Sequence, residues 1–135
     1  MKLYAPSTIE AIKEKHRFQL SKSLGQNFIT DKHVIERIVE GADPSEKDLV
    51  IEIGPGIGVL TAEAAQQAAK VIAIEIDSKL IPILGETLAE YDNVEVINQD
   101  ILKTDLNGII DEQRQLGNFT GDVKIIGNLQ YYITT

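Results

Sequence analysis

The 135-residue chain has no cysteine and no tryptophan, only two histidines, and an aromatic share of 5%. Without thiols it forms neither disulfides nor thiolate metal centres, and His16 and His33 stand too far apart in sequence to suggest a metal pair, so no metal is assigned. A run of roughly eighteen apolar residues, the minimum for a membrane-spanning helix, is missing. The opening MKLYAPSTIEAIKEKHRF also lacks the apolar core of a secretory signal. These absences lead to the expectation of a cytoplasmic chain with no membrane partner. Basic residues are scarce too: 13 Lys and Arg face 21 Asp and Glu, a net charge of −8. Affinity for nucleic acid is built largely from cations that neutralise phosphates, so the total argues against such a partner. The distribution weakens that objection, because residues 1–40 carry seven basic groups (Lys2, Lys13, Lys15, Arg17, Lys22, Lys32, Arg37) against five acidic ones. That basic end is the candidate RNA face.

What is present, 43% hydrophobic and 25% charged residues, fits one globular domain and not two. Pro6 with Ser7 or Thr8 predicts a short helix through about Lys15, and Ser21 to Asn27 reads as a polar loop. Asp31 then caps a helix whose Val34, Ile35, Ile38 and Val39 share one face, ended by Gly41 and Pro44. From Asp48 the pattern alternates. Leu49–Ile53 predicts a strand, residues 59–69 an alanine-rich helix, Val71–Ile76 a strand, and Asp77–Glu90 a helix with Pro82 near its first turn. Val94–Asn98 predicts a third strand, Leu106–Gln115 a helix, and Val123–Gly127 a fourth strand. Such alternation specifies an α/β fold: a parallel sheet with right-handed crossovers and helices on both faces. Residues 1–47 are expected to form a helical and loop segment that serves as RNA face and lid, and 48–135 the first half of a Rossmann-like domain. The sequence stops just past strand four with no terminating signal, so we expect a fragment whose exposed edge strand invites association.

Between the first strand and first helix lies Glu52-Ile53-Gly54-Pro55-Gly56-Ile57-Gly58, and Glu75 ends the second strand about twenty residues later. Gly54 and Gly56 permit close approach of a ligand, Gly58 lets the helix pack near the strand, and Glu75 suits ribose hydroxyls. A nucleoside cofactor follows. The glycine spacing departs from the G-x-G-x-x-G of dinucleotide turns, and a pyrophosphate wants a positive environment, whereas Glu52, Glu75 and Asp77 favour a cation such as a sulfonium. Asp100 and Ile101 follow the third strand on the same carboxyl edge, where Asp100 can accept an adenine amino group, with Ile76 beside Glu75. Asn128, Leu129 and Tyr131 end the fourth strand there as well. An Asn carbonyl, the Leu129 backbone carbonyl and an aromatic platform suit a planar amine such as the adenine amino group. They would orient its lone pair without needing a strong base. The target base must be unpaired or flipped out to reach them.

Taken together, Ser23-Leu24-Gly25-Gln26-Asn27-Phe28, the Glu52–Gly58 turn, Ala73-Ile74-Glu75-Ile76-Asp77 and Asn128-Leu129-Gln130-Tyr131-Tyr132-Ile133 resemble the bacterial ribosomal RNA small-subunit adenine dimethyltransferases. The resemblance runs from about Phe18 to the last residue. It implies a Rossmann-like S-adenosylmethionine-dependent methyltransferase fold, truncated after the fourth parallel strand and lacking the family's C-terminal helical domain. It also implies S-adenosyl-L-methionine as cofactor, the ribosomal small subunit as partner, and dimethylation of two adjacent adenines near the 3′ end of 16S rRNA, with loss conferring kasugamycin resistance. Asn27, Ile29, Gly54, Glu75, Asp100 and Asn128 match the family's cofactor-contact positions, with Gln26, Gly56, Ile76 and Ile101 alongside, and Asn128, Leu129 and Tyr131 match its catalytic segment. Two other readings remain open: a large-subunit adenine methyltransferase of the erythromycin-resistance type, and a non-catalytic RNA-binding or assembly fragment. The chain by itself is expected to be inactive or nearly so.

One position departs from the family: Gln130 stands where the motif has proline. Proline would bias Leu129 toward extended backbone and remove an N–H that now needs a partner. In a chain extended to family length, Gln130→Pro should therefore raise the rate of labelled methyl transfer to small subunits; an unchanged or lower rate contradicts this.

Overall fold

The computed structural model describes residues 32–127. The helix predicted up to Lys15, the loop 21–27 and the Asp31 cap lie outside that range. The described elements are α1 (Lys32–Ala42), β1 (Leu49–Ile53), α2 (Val59–Ala65), β2 (Lys70–Glu75), and a 3-10 turn Ser78–Leu80 running into α3 (Ile81–Thr87). They continue with β3 (Val94–Asn98), a second 3-10 turn Ile101–Lys103, α4 (Leu106–Gln115) and β4 (Val123–Gly127).

The four strands are parallel in the order β3-β2-β1-β4. β1 and β2 are central and buried on both faces, apolar but for Glu52 and the end residues Lys70 and Glu75. On one face Val50, Val71 and Ile126 meet Ile35 and Val39 of α1, the apolar residues of α2, and Leu80, Ile83 and Leu84. On the other, Leu49, Ile51, Ile72 and Ile74 pack with Phe119 and with Leu106, Ile109 and Ile110 of α4. The chain steps outward from β1 to β3 over the first face, then returns over the second to place β4 on the far side of β1. With one crossover hand, reversing direction requires switching face. The reversal opens a crevice at the carboxyl end of β1, where Rossmann-like sheets bind ligands.

Four local expectations shift. Val34 is 37% exposed, so the buried stripe of α1 is Ile35 and Val39 with Ile38 half-buried. α1 also passes through Gly41; Asp43, at φ 47°, takes the left-handed position and donates its N–H to the Val39 carbonyl at 2.9 Å. The alanine-rich α2 ends at Ala65 instead of 69, because Asn93 Nδ2 donates to the carbonyls of Ala65 (2.9 Å) and Ala68 (3.2 Å) while Ala69 N–H turns to the Asp48 carbonyl. Consequently β2 starts at Lys70, paired with Leu49, and ends at Glu75, leaving Ile76 just beyond the ladder. Pro82 falls in the first turn of α3, where its missing N–H costs nothing.

At the amino edge of the sheet the Asp48 carboxylate accepts N–H groups from Ser45 at 2.9 Å and Asp122 at 2.8 Å, tying the start of β1 to that of β4. Those two donors hold its pKa below the usual carboxylate value. A Cβ at Gly121 would collide with this carboxylate and the Lys47 carbonyl, so only glycine fits there.

Asn93→Ala leaves two carbonyls at the end of α2 without their side-chain donor. The expected loss is about 1–2 kcal/mol, read as a lower denaturant midpoint at unchanged slope.

Candidate functional site

The turn after β1 reverses the chain through three left-handed glycines, Gly54 (φ 71°), Gly56 (φ 62°) and Gly58 (φ 95°). L-residues with a Cβ rarely adopt that region, so the residue type follows from the path. Gly54 N–H donates to the Ile74 carbonyl at 2.9 Å, and Gly56 N–H donates to Glu75 Oε1 at 3.3 Å. The other Glu75 oxygen accepts the Asp77 N–H at 3.0 Å. From α3, the buried Thr87 hydroxyl donates to the Ile57 carbonyl at 2.7 Å. A Cβ on Gly58 would come within 3.1 Å of Thr87 Oγ1 and Leu88, so the close neighbour that excludes a side chain there is the end of α3.

Two carboxyls lie beneath this turn on one face of the sheet. Glu52 is 1% exposed and accepts the hydroxyl of fully buried Thr61, in the first turn of α2. Burial pushes its pKa up to about 7, with the Thr61 hydrogen bond opposing and the charge of Glu75 adding to the rise. Glu75 is 2% exposed, and burial raises its pKa as well, against the lowering effect of the Asp77 and Gly56 amides. Asp77, expected beside them as part of an acidic surround, accepts the Lys79 N–H and caps the 3-10 turn.

A cleft of about 40 Å³ opens at the edge between β1, β2 and β3, lined by Ile53, Gly54, Ile74, Ile76, Gln99, Asp100 and Ile101. A pocket for a whole small-molecule ligand is roughly 300–1,000 Å³, so this cleft alone is too small to enclose one. Its walls are mostly isoleucine, and Asp100 supplies a carboxylate. Asp100 Oδ1 accepts the Leu102 N–H at 3.0 Å and caps the 3-10 turn. Beside it, Asn98 Nδ2 donates to the carbonyls of Glu75 (2.8 Å) and Ile76 (3.3 Å).

Of the residues singled out by sequence, Gly54, Ile76, Asp100 and Ile101 share the cleft, and Gly56 and Glu75 are hydrogen-bonded to each other at its border. Gln26, Asn27, Ile29, Asn128, Leu129 and Tyr131 lie outside the described residues. Gly127, which precedes Asn128, pairs with Ile53 and so ends β4 on the same edge as the glycine turn. Glu75 differs from expectation in detail: both oxygens are engaged by backbone amides in this structure, so a ribose would share or displace the long Gly56 contact. Thr61, Thr87, Asn98 and Gln99 were missed as site residues. Among the described residues no group of His, Cys, Asp and Glu could hold a metal ion.

A parallel α/β sheet with a glycine bend after β1 and acids at the carboxyl ends of β2 and β3 defines the Rossmann-like fold of the methyltransferases. Within that class the chain belongs to the ribosomal RNA adenine dimethylase family, whose model matches residues 17–135. Ribosomal RNA small subunit methyltransferase A of Alkaliphilus metalliredigens is 57% identical, and that of Ligilactobacillus salivarius 51%. The matches cover 99% and 96% of this chain but 45% and 43% of those proteins. The chain thus spans less than half the length of the curated relatives it matches. Among solved structures, the 23S rRNA methyltransferase ErmE is 42% identical with a TM-score of 0.56, covering 58% of this chain and 32% of that one. A dimethyladenosine transferase from Plasmodium falciparum is 35% identical with a TM-score of 0.54, covering 56% and 28%. An RNA methyltransferase from Salinibacter ruber, solved with S-adenosyl-L-homocysteine, is 26% identical with a TM-score of 0.53, covering 66% and 68%.

The raised Glu52 pKa makes stability depend on pH. Its contribution is complete below the ordinary value of 4.5 and is lost as pH rises through about 7. That shift corresponds to on the order of 3 kcal/mol by pH 8. Glu52→Gln should flatten the decline in denaturation midpoint between mildly acidic and mildly alkaline pH; an undiminished slope contradicts a buried, protonated Glu52.

Proposed function

We propose that this chain is the cofactor-binding part of an enzyme that dimethylates the amino nitrogens of two adjacent adenines near the 3′ end of 16S rRNA, with S-adenosyl-L-methionine as methyl donor. The supporting observation is the convergence of Gly54, Glu75, Asp100 and Ile101 at one sheet edge, in a member of the ribosomal RNA adenine dimethylase family. The residues present fit the cofactor. The left-handed glycines leave a backbone surface without side chains, the isoleucine walls suit a planar base, and the Asp100 carboxylate in the cleft, with Glu75 at its border, suits the donor groups of a nucleoside.

In this reading Asp100 accepts the adenine amino group and Ile76 and Ile101 hold the ring. Glu75 receives the ribose hydroxyls, the bend at Gly54 and Gly56 admits the remainder, and Gln26, Asn27, Ile29 and Asn128 complete the contacts. When bound, the cofactor supplies a methyl group carried on a sulfonium. Asn128 and the Leu129 carbonyl accept hydrogen bonds from the target amine and orient its lone pair, while Tyr131 stacks on the base. Residues 1–47 serve as RNA face and lid. The small ribosomal subunit is the partner, which places the protein in the cytoplasm, and no described helix is long and apolar enough to cross a membrane. β4 pairs only with β1 among the described strands and leaves Ile125 54% exposed, so we include self-association through that edge.

The likeness to ErmE favours a second reading, in which the target adenine belongs to the large-subunit RNA. Methylation of isolated subunits by a family-length chain separates the two. A non-catalytic RNA-binding or assembly role is the outcome if neither subunit is methylated.

Calorimetric titration of S-adenosyl-L-methionine into the chain should show weak binding. Asp100→Ala and Glu75→Ala should each weaken it on the order of tenfold, about 1.4 kcal/mol. Absence of binding to the parent chain at millimolar cofactor would sink the proposal.

A further inference from the structure

The ladder between β2 and β3 closes on the pair Glu75 and Asn98. Past that rung the two strands separate, and the residues that leave them, Ile76 on one side and Gln99 to Ile101 on the other, become the walls of the cleft. An exit of this kind has no ladder to define it, so the spacing of the walls depends on whatever bridges them. Two contacts do so: Gln99 N–H donates to the Glu75 carbonyl at 3.1 Å, and the Asn98 side chain donates to that same carbonyl and to the next one along, that of Ile76. The Glu75 carbonyl accepts both, using its two lone pairs.

We propose that Asn98 is a positioning residue for the nucleoside part of the cofactor. Resting on the reading of this edge as the S-adenosyl-L-methionine site, it assigns Asn98 the spacing of the slot into which the base fits. The amide bridges two successive carbonyls of the β2 exit, which fixes the peptide joining Glu75 to Ile76. That peptide carries both of the cofactor-facing groups on β2, the Glu75 carboxyl and the Ile76 side chain. Asn98 is itself an exposed residue, so the apolar core is built without it. Its effect falls on the slot and not on the packing beneath. A hydroxyl at this place lacks the second donor hydrogen, and an Asp, equal in size, has none and sets a negative charge against two carbonyl oxygens.

The test compares the parent chain with Asn98→Asp and Asn98→Ala using two ligands, S-adenosyl-L-homocysteine and 5′-deoxy-5′-methylthioadenosine, which lacks the amino-acid end. Both variants should weaken both ligands by the same factor, on the order of tenfold, with a melting temperature close to that of the parent. Amide hydrogen exchange without ligand gives an independent reading: Asp77 and Gln99 N–H groups should exchange faster in both variants, while those of central β1 keep their protection. Loss of affinity confined to S-adenosyl-L-homocysteine, unchanged affinity for both, or unchanged exchange at Asp77 and Gln99 would each overturn the assignment. Should the parent chain bind neither ligand while exchange at Asp77 and Gln99 still accelerates, the cofactor reading itself fails and the positioning role falls with it.

Discussion

Everything at the carboxyl edge is organised by one buried carboxyl, that of Glu75. One oxygen takes an amide from the glycine turn and the other takes an amide from the chain leaving β2, so a single side chain joins two loops that have no ladder to hold them. Burying such a group is costly unless its oxygens find donors. Here the donors are fixed backbone N–H groups, which makes the arrangement sensitive to the path of the turn. The positive φ angles of Gly54 and Gly56 are part of the same constraint: with a Cβ on either, the N–H of Gly56 would not come round toward Glu75.

Around that centre the supporting contacts arrive from different elements. Thr61 reaches Glu52 from α2, Thr87 reaches the Ile57 carbonyl from the end of α3, and Asn98 reaches the β2 exit from β3. Each is a short polar side chain meeting a main-chain or carboxyl oxygen. Together they stiffen a bend that its own glycines would leave free to wander, and a stiff bend presents less entropy to be lost when a ligand arrives. Under the proposed function, rigidity at this edge is what the fold contributes to bringing a methyl donor and an amine into line.

The architecture was readable because strand-length and helix-length patterns alternate along the chain, and β1, β3, α4 and β4 occupy the residues their patterns predict. Boundaries differed where the deciding contact leaves no mark on the local pattern. Nothing within residues 59–69 announces that Asn93 will end α2 early, and nothing near Gly41 says that Asp43 will take the left-handed position instead. Within the site, Gly54, Glu75 and Asp100 were legible because glycine after one strand and acids after the next two form an ordered series along the chain. Thr87 and Asn98 were not, since their partners lie 30 and 22 or 23 residues away and the pairing depends on register and helix docking, which leave no local trace.

The strand order also has a temporal side. β1 meets β2 soon after both are made, but its opposite flank waits for β4, and the bond between Asp48 and Asp122 spans 74 residues. At ribosomal speeds of about 5–20 residues per second, that flank stays open for roughly 4 to 15 s during synthesis. Through that interval a nascent chain exposes one edge of its most apolar strand.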